Sequence, residues 1–155
     1  MKVSAGLLMY RRGERGLEVL LVHPGGPFFA QKDEGFWGIP KGLIDDGEPA
    51  LEAARREFLE ETSIVPETDA YLELGEVRQR SGKRVHAWAF EGDCDAEAVV
   101  SNTFELEWPP KSGRTCEFPE IDRATWFDLG SARVKINPAQ VAFLDRLAEL
   151  LAETT

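Results

Sequence analysis

Glu57, Glu60 and Glu61 stand at positions i, i+3 and i+4, so on a helix they project from one face. Three like charges this close repel one another, which raises their pKa values unless a cation neutralises them. Ligation by carboxylate oxygens alone is what Mg²⁺ or Mn²⁺ prefers. Arg56, one turn from Glu52 and Glu60, can hold a carboxylate in place. The competing reading is a solvated helix face laced with Glu–Arg pairs, which is common on charged helices. The run REFLEE does not by itself separate the two.

The helix that must carry these residues is legible. Pro49 suits a first helical position, because its missing N–H would have no partner there, and Glu48 precedes it, where a carboxylate favours the helix dipole. No Gly, Pro or β-branched residue follows until Thr62, and Leu51, Ala54 and Phe58 make a buried stripe. The segment from Gly42 to Ile64 resembles the Nudix box, GX5EX7REUXEEXGU with U apolar. Gly42, Glu48, Arg56, Glu57, Phe58, Glu60, Glu61 and Ile64 fall in register, and one position departs, with Ser63 where the family has its second glycine. A left-handed residue there makes serine mildly strained, and Ser63→Gly is then expected to stabilise by roughly 0.5–1 kcal/mol.

The resemblance to the Nudix hydrolase family implies an α+β fold, an α/β/α sandwich with a mixed β-sheet between helices. It also implies hydrolysis of a pyrophosphate bond in a nucleoside diphosphate derivative. Glu57, Glu60 and Glu61, with the Gly42 carbonyl, are then the ligands of Mg²⁺ or Mn²⁺. Arg56 orients Glu57 or Glu60, and Glu48 braces Arg56. Family members commonly bring a further carboxylate from a later loop, and Glu120 is the preferred match. Glu57, Glu60 and Glu120 are the candidate general bases. The run Trp37-Gly38-Ile39-Pro40-Lys41-Gly42 is similar to the W-x-x-P-K-G of the diadenosine and diphosphoinositol polyphosphate branches. This points to a dinucleoside polyphosphate such as diadenosine tetraphosphate, with Lys41, Trp37 and Arg78 or Lys83 binding substrate. The downstream tyrosine of some diadenosine polyphosphate hydrolases is missing, since Gln79, Arg80, Ser81 and Gly82 fill that stretch. Three rivals remain: a nucleoside triphosphate or nucleotide-sugar hydrolase, an RNA 5′-end hydrolase, and a non-catalytic nucleotide-binding module. The intact carboxylate set counts against the last.

Composition narrows the partners. The 155 residues fit a single domain, 1–155, with 43% hydrophobic and 30% charged residues, the profile of an ordinary soluble globule. A net charge of −10 counts against nonspecific nucleic-acid or anionic-membrane binding, and it is a second reason to expect a metal beside polyphosphate. Cys94 and Cys116 lack metal-ligand spacing, and no leader or membrane-length apolar run is visible, so a cytoplasmic location is expected. The oligomeric state is unreadable.

Elsewhere the chain reads as scaffold. Two strands, Val3 to Tyr10 and Leu17 to His23, make a hairpin, with VLLV buried on both faces and His23 a structural residue. The glycine-rich stretch before the box reads as a mobile loop whose aromatics either stack on a base or, for Phe36 with Ile39, plug the core. A second hairpin, Tyr71–Arg80 and Arg84–Glu91, turns at SGK, and His86, Trp88 and Phe90 cover the sheet. Phe104 to Trp108 is a short strand, KSGRTCEFPE a loop, and TWFDL a strand. Asn137-Pro138 starts a last helix that packs through Val141, Leu144, Leu147, Ala148 and Leu151 without chemistry of its own.

Overall fold

The computed structural model describes residues 3–153. The central strand β1 (Val3–Gly13) alternates its side chains between two cores. Leu7 and Met9 enter one, Leu8 and Tyr10 the other, and all four are buried. Strand β2 (Gly16–Pro24) does the same, so VLLV is buried on both faces, as a strand between two helical layers must be.

Strands β3 (Lys41–Leu43), β4 (Leu72–Arg78), β5 (Arg84–Glu91) and β8 (Ile121–Asp128) join β1 and β2 in one sheet. It runs in the order β4-β5-β1-β2-β8, with β3 also on β1. β1 pairs in parallel with β5 and antiparallel with β2 and β3, which makes the sheet mixed. Helix α1 (Ala50–Thr62) covers one face through Ala53, Ala54 and Phe58. Helices α2 (Leu129–Lys135) and α3 (Val141–Glu153) cover the other through Ala132, Phe143, Leu144 and Leu147. The expected α/β/α sandwich is the observed one. No helix among the described residues is long and apolar enough to cross a membrane.

Three sequence expectations shift. KSGRTCEFPE is not all loop, because Thr115–Pro119 is strand β7, which pairs with β6 (Thr103–Glu107) as a separate two-stranded ribbon. Its pattern is exposed at every other residue, so it carries too little apolar signal to read as a strand. The second hairpin is shorter than expected, with β4 ending at Arg78 and Gln79 starting the turn by donating to Lys83 O at 2.7 Å. Asn137 caps a 3-10 turn, Pro138–Gln140, accepting from Ala139 N at 2.9 Å, before α3 begins.

The glycine-rich stretch is held by packing. A Cβ at Gly25 would lie 2.0 Å from Pro119 O, and one at Gly26 would lie 2.9 Å from the Phe104 ring. These glycines let the β6–β7 ribbon sit directly on the loop. Phe28 meets Trp108 edge-on across the same contact. The loop is also tied to His23, which is fully buried, with Nδ1 on Asp122 and Nε2 on the Lys32 carbonyl, the structural role expected of it.

Candidate active site

Helix α1 begins one residue later than expected. Pro49 is extended, at φ −62° and ψ 141°, and stands just outside the helix, its carbonyl accepting from Ala53 N. This leaves Glu48 in the preceding turn, free to reach along the helix to Arg56. The two make a forked pair, Nε to Oε2 at 3.0 Å and Nη2 to Oε1 at 3.1 Å, and Asp45 N–H holds Glu48 from behind. Arg56 also donates to Glu57 at 2.8 Å, to both oxygens of Glu60 at 3.4 Å, and to the Leu43 carbonyl. Planar guanidinium geometry suits such multiple contacts. The Glu48 and Glu57 carboxylates drive the Arg56 pKa upward against the effect of burial.

Gly42 has a reason visible in the packing. A Cβ there would stand 2.0 Å from the Glu57 carboxyl, so any other residue would expel that side chain. Gly42 itself lies opposite Ala5 in the β3–β1 pairing. Next to it the Lys41 N–H donates to Glu61 Oε1 at 3.2 Å. Glu61 is only 9% exposed, and burial, aided by nearby Glu57 and Glu120, pushes its pKa up to about 8. Burial also raises Glu57, with Glu60 and Glu120 adding to it against Arg56. Lys41 is lowered by burial, with partial compensation from Glu61 and repulsion from Lys83.

Glu120 joins this cluster from the junction of β7 and β8. Burial and the Glu60 charge raise its pKa, and its backbone is pinned by a relay. Asn102 N donates to Glu60 O at 3.0 Å, Glu120 N to Asn102 O at 2.8 Å, and Gly25 N to Glu120 O at 2.8 Å. The relay satisfies a carbonyl at the open end of α1, which would otherwise lack a partner. Ser63 finishes that end in the left-handed region at φ 64°, as the missing box glycine would. Its hydroxyl donates to Val100 O, a bond that glycine could not make.

The carboxylates can be judged as a metal site on this geometry. The donor set of hard oxygens fits a divalent cation, and the raised pKa values mark negative charge short of compensation. As the side chains stand, no three His, Cys, Asp or Glu groups among the described residues converge as ligands.

A cleft of about 400 Å³ adjoins the cluster, lined by Lys41, Glu61 and Glu120 together with Phe29, Phe36 and Trp37. Trp37 itself belongs to the core. It is 3% exposed, with Nε1 on Asp33, its ring flanked by His23 and Phe127 and beneath Arg123. Of the aromatics lining the cleft, Phe29 and Phe36 are exposed, at 38% and 42%, so of the two roles open to Phe36 the core plug falls away, whereas Ile39 does enter the core. Arg78 is exposed on β4, and the neighbouring Gln79 is the residue that lines the cleft. Sequence reasoning also missed Gln140, which lines the cleft from the turn before α3. A segment read as pure packing gave no signal for it.

This fold, and an acidic helix braced by one arginine beside a cleft, define a class. A family model described as NUDIX domain matches residues 1–147, and the chain belongs to that family. It is 34% identical over 107 residues to an RNA pyrophosphohydrolase of Brucella anthropi, a match covering 58% of this chain and 55% of that protein. A similar protein of Rhizobium meliloti is 32% identical over 104 residues, covering 58% and 57%. The matches thus span little more than half the length of these relatives. Among solved structures, an Ap4A hydrolase of C. elegans superposes with a TM-score of 0.67 at 20% identity, over 97% of this chain and 98% of that one. The NUDIX domain of Shewanella oneidensis NrtR, solved with ADP ribose, gives 0.67 at 18% identity over 96% and 87%. At these identities the two structures speak for the fold.

Proposed function

We propose that the protein is a metal-dependent hydrolase of a pyrophosphate bond in a nucleotide with a long phosphate chain, a dinucleoside polyphosphate of the diadenosine tetraphosphate type. The observation that carries this is the single cleft in which Lys41 and Gln79 meet Glu61 and Glu120. Lys83, in the β4–β5 turn, lies near enough to repel the Lys41 charge, and two neighbouring cations suit a chain of several phosphates better than a short diphosphate.

Glu57, Glu60 and Glu61, with the Gly42 carbonyl, would hold Mg²⁺ or Mn²⁺, which would supply charge neutralisation to phosphate oxygens and acidity to water. Arg56 fixes the rotamers of Glu57 and Glu60, and Glu48 fixes Arg56. Lys41 presents a cation to phosphate oxygens that the carboxylate cluster would repel. Water attacks phosphorus as the bridging P–O bond breaks, and the water proton passes to a carboxylate. Glu120 suits this role best, because it stands outside the grip of Arg56 and its raised pKa makes it a better base near neutral pH.

The names of the curated relatives favour a second reading, action on the 5′ triphosphate of RNA. The net charge of −10 weighs against a strand-binding surface. Lys41→Ala tests the first reading. Loss of a charged contact of about 1.5–3 kcal/mol lowers kcat/KM on the tetraphosphate by tenfold or more, with a smaller loss on ADP-ribose. Equal losses on both, or a wild type that prefers triphosphorylated RNA or nucleoside triphosphates, overturn it.

A further inference from the structure

His23 has an acceptor on each side. Its Nδ1 lies 2.7 Å from Asp122 Oδ1 and its Nε2 lies 2.6 Å from the Lys32 carbonyl, with the ring fully buried. A carbonyl has no proton to give, and a neutral imidazole has one N–H for the two acceptors. The pair of bonds therefore needs one proton more than a neutral histidine beside a carboxylate supplies. The Asp122 side chain is 32% exposed, so water solvates its charge and the extra proton belongs on the ring. The other charges nearby are balanced. Trp37, edge-on to His23 at 5.2 Å, gives its Nε1–H to Asp33, which pairs with Lys135 of α2, and Arg123 of β8 lies over the Trp37 ring. Lys32 is where the loop is gathered. Its N–H donates to Phe29 O at 2.9 Å and its Nζ stands 5.6 Å from the centre of the Phe36 ring. Both exposed aromatics of the cleft thus hang from the residue whose carbonyl His23 holds, while Asp122 lies two residues after Glu120.

We infer that His23 is a positioning residue whose imidazolium form ties the Glu120 segment to the aromatic loop, and that losing its proton releases the loop. A neutral ring keeps the stronger, charge-assisted bond from Nδ1–H to Asp122 and turns a lone pair on the Lys32 carbonyl. Lys32 then draws away with Phe29 and Phe36, and the cleft loses its exposed aromatic wall. Asp122→Asn reverses this logic. An asparagine can turn its Nδ2–H to Nδ1 of a neutral ring, which leaves Nε2–H on the Lys32 carbonyl. Both bonds then survive without the extra proton.

The test is nuclear magnetic resonance on the intact protein from pH 5 to 9, with isotope-labelled histidine rings and carbonyl carbons. It needs no substrate, so its failure leaves the nucleotide reading standing. His86 is the only other histidine, and His86→Gln identifies its signals. In wild type, Nε2 of His23 should lose its proton while Nδ1 keeps one. The Lys32 carbonyl carbon and the Phe29 and Phe36 ring signals should shift with the same midpoint. In Asp122→Asn, Nε2 should be protonated and Nδ1 bare once the ring is neutral, and the loop signals should hold still throughout. A ring that keeps both protons to pH 9 with the loop in place also supports the tie. Loop signals that hold still while wild-type Nε2 is deprotonated overturn the proposal, as do loop signals that shift with both ring protons in place. Loss of the proton from Nδ1 instead of Nε2 overturns it too, and so does an asparagine variant whose loop shifts as in wild type. If that variant does not fold, the wild-type titration decides alone.

Discussion

Glu61→Gln should make the metal-free protein more stable while destroying its activity. The Glu61 carboxyl is moved from its ordinary value of 4.5 to about 8, chiefly by burial. Between those values the folded protein keeps a proton that the unfolded chain releases. Stability therefore falls as pH rises through that window and is flat above it. At about 1.4 kcal/mol per pH unit, the cost of ionising Glu61 in the fold is on the order of 5 kcal/mol. Glutamine keeps an oxygen for the Lys41 N–H and avoids the cost, but Lys41 then loses a compensating charge. A net gain of about 2–4 kcal/mol above pH 8 follows, roughly 5–15 °C in Tm for a chain of this size. Thermal unfolding in chelator from pH 5 to 9 measures it. The advantage of the variant should be small at pH 5 and grow to its full size by pH 8. Adding Mg²⁺ should raise the Tm of wild type and leave the variant nearly unmoved, and turnover should drop by orders of magnitude. A variant less stable than wild type at pH 8.5 in chelator, or one that keeps its turnover, would refute the reasoning.

Variants at two further positions have expected outcomes. Ser63→Ala keeps the left-handed strain and loses the hydroxyl bond to Val100 O, so it should lose about 1 kcal/mol. Ser63→Gly loses the same bond but gains roughly 0.5–1 kcal/mol of backbone relief, so its Tm should stay near wild type. An alanine variant as stable as wild type would remove the hydroxyl from the account. Arg56→Lys cannot make the forked pair with Glu48 while also reaching Glu57, Glu60 and Leu43 O. Its kcat should fall about 10–100-fold with KM little changed, as happens when groups are misplaced rather than removed. Wild-type kcat in that variant would show that Arg56 does not position the carboxylates.

The acidic helix and the double-sided central strands were legible because their signals are local. Apolar spacing, a proline near the start and a run of glutamates all lie within single segments. The cleft was legible only in part, because its walls come from distant segments meeting. Trp37 looked like a stacking surface, yet its ring is enclosed by His23, Phe127 and Arg123. Gln79 was passed over for the charged Arg78 beside it, since the place where the strand ends and the turn begins, and not charge, decides which of the two lines the cleft. Gln140 gave no cue, because a buried amide is recognisable only once its backbone partner is known. Ser63 showed a departure from the box but not its remedy, which waits on Val100.

The contact between the β6–β7 ribbon and the loop after β2 bears on how the family diversifies. Gly25 leaves room for the Pro119 carbonyl and Gly26 for the Phe104 ring, so two segments far apart in the chain are fitted to each other. A bulkier residue in one demands a retreat in the other, and a change of length in either has nothing to rest against. The two should therefore be inherited as a pair, shortening, lengthening or vanishing together across related sequences. Anyone transplanting this cleft into another scaffold of the same fold would have to move both pieces at once.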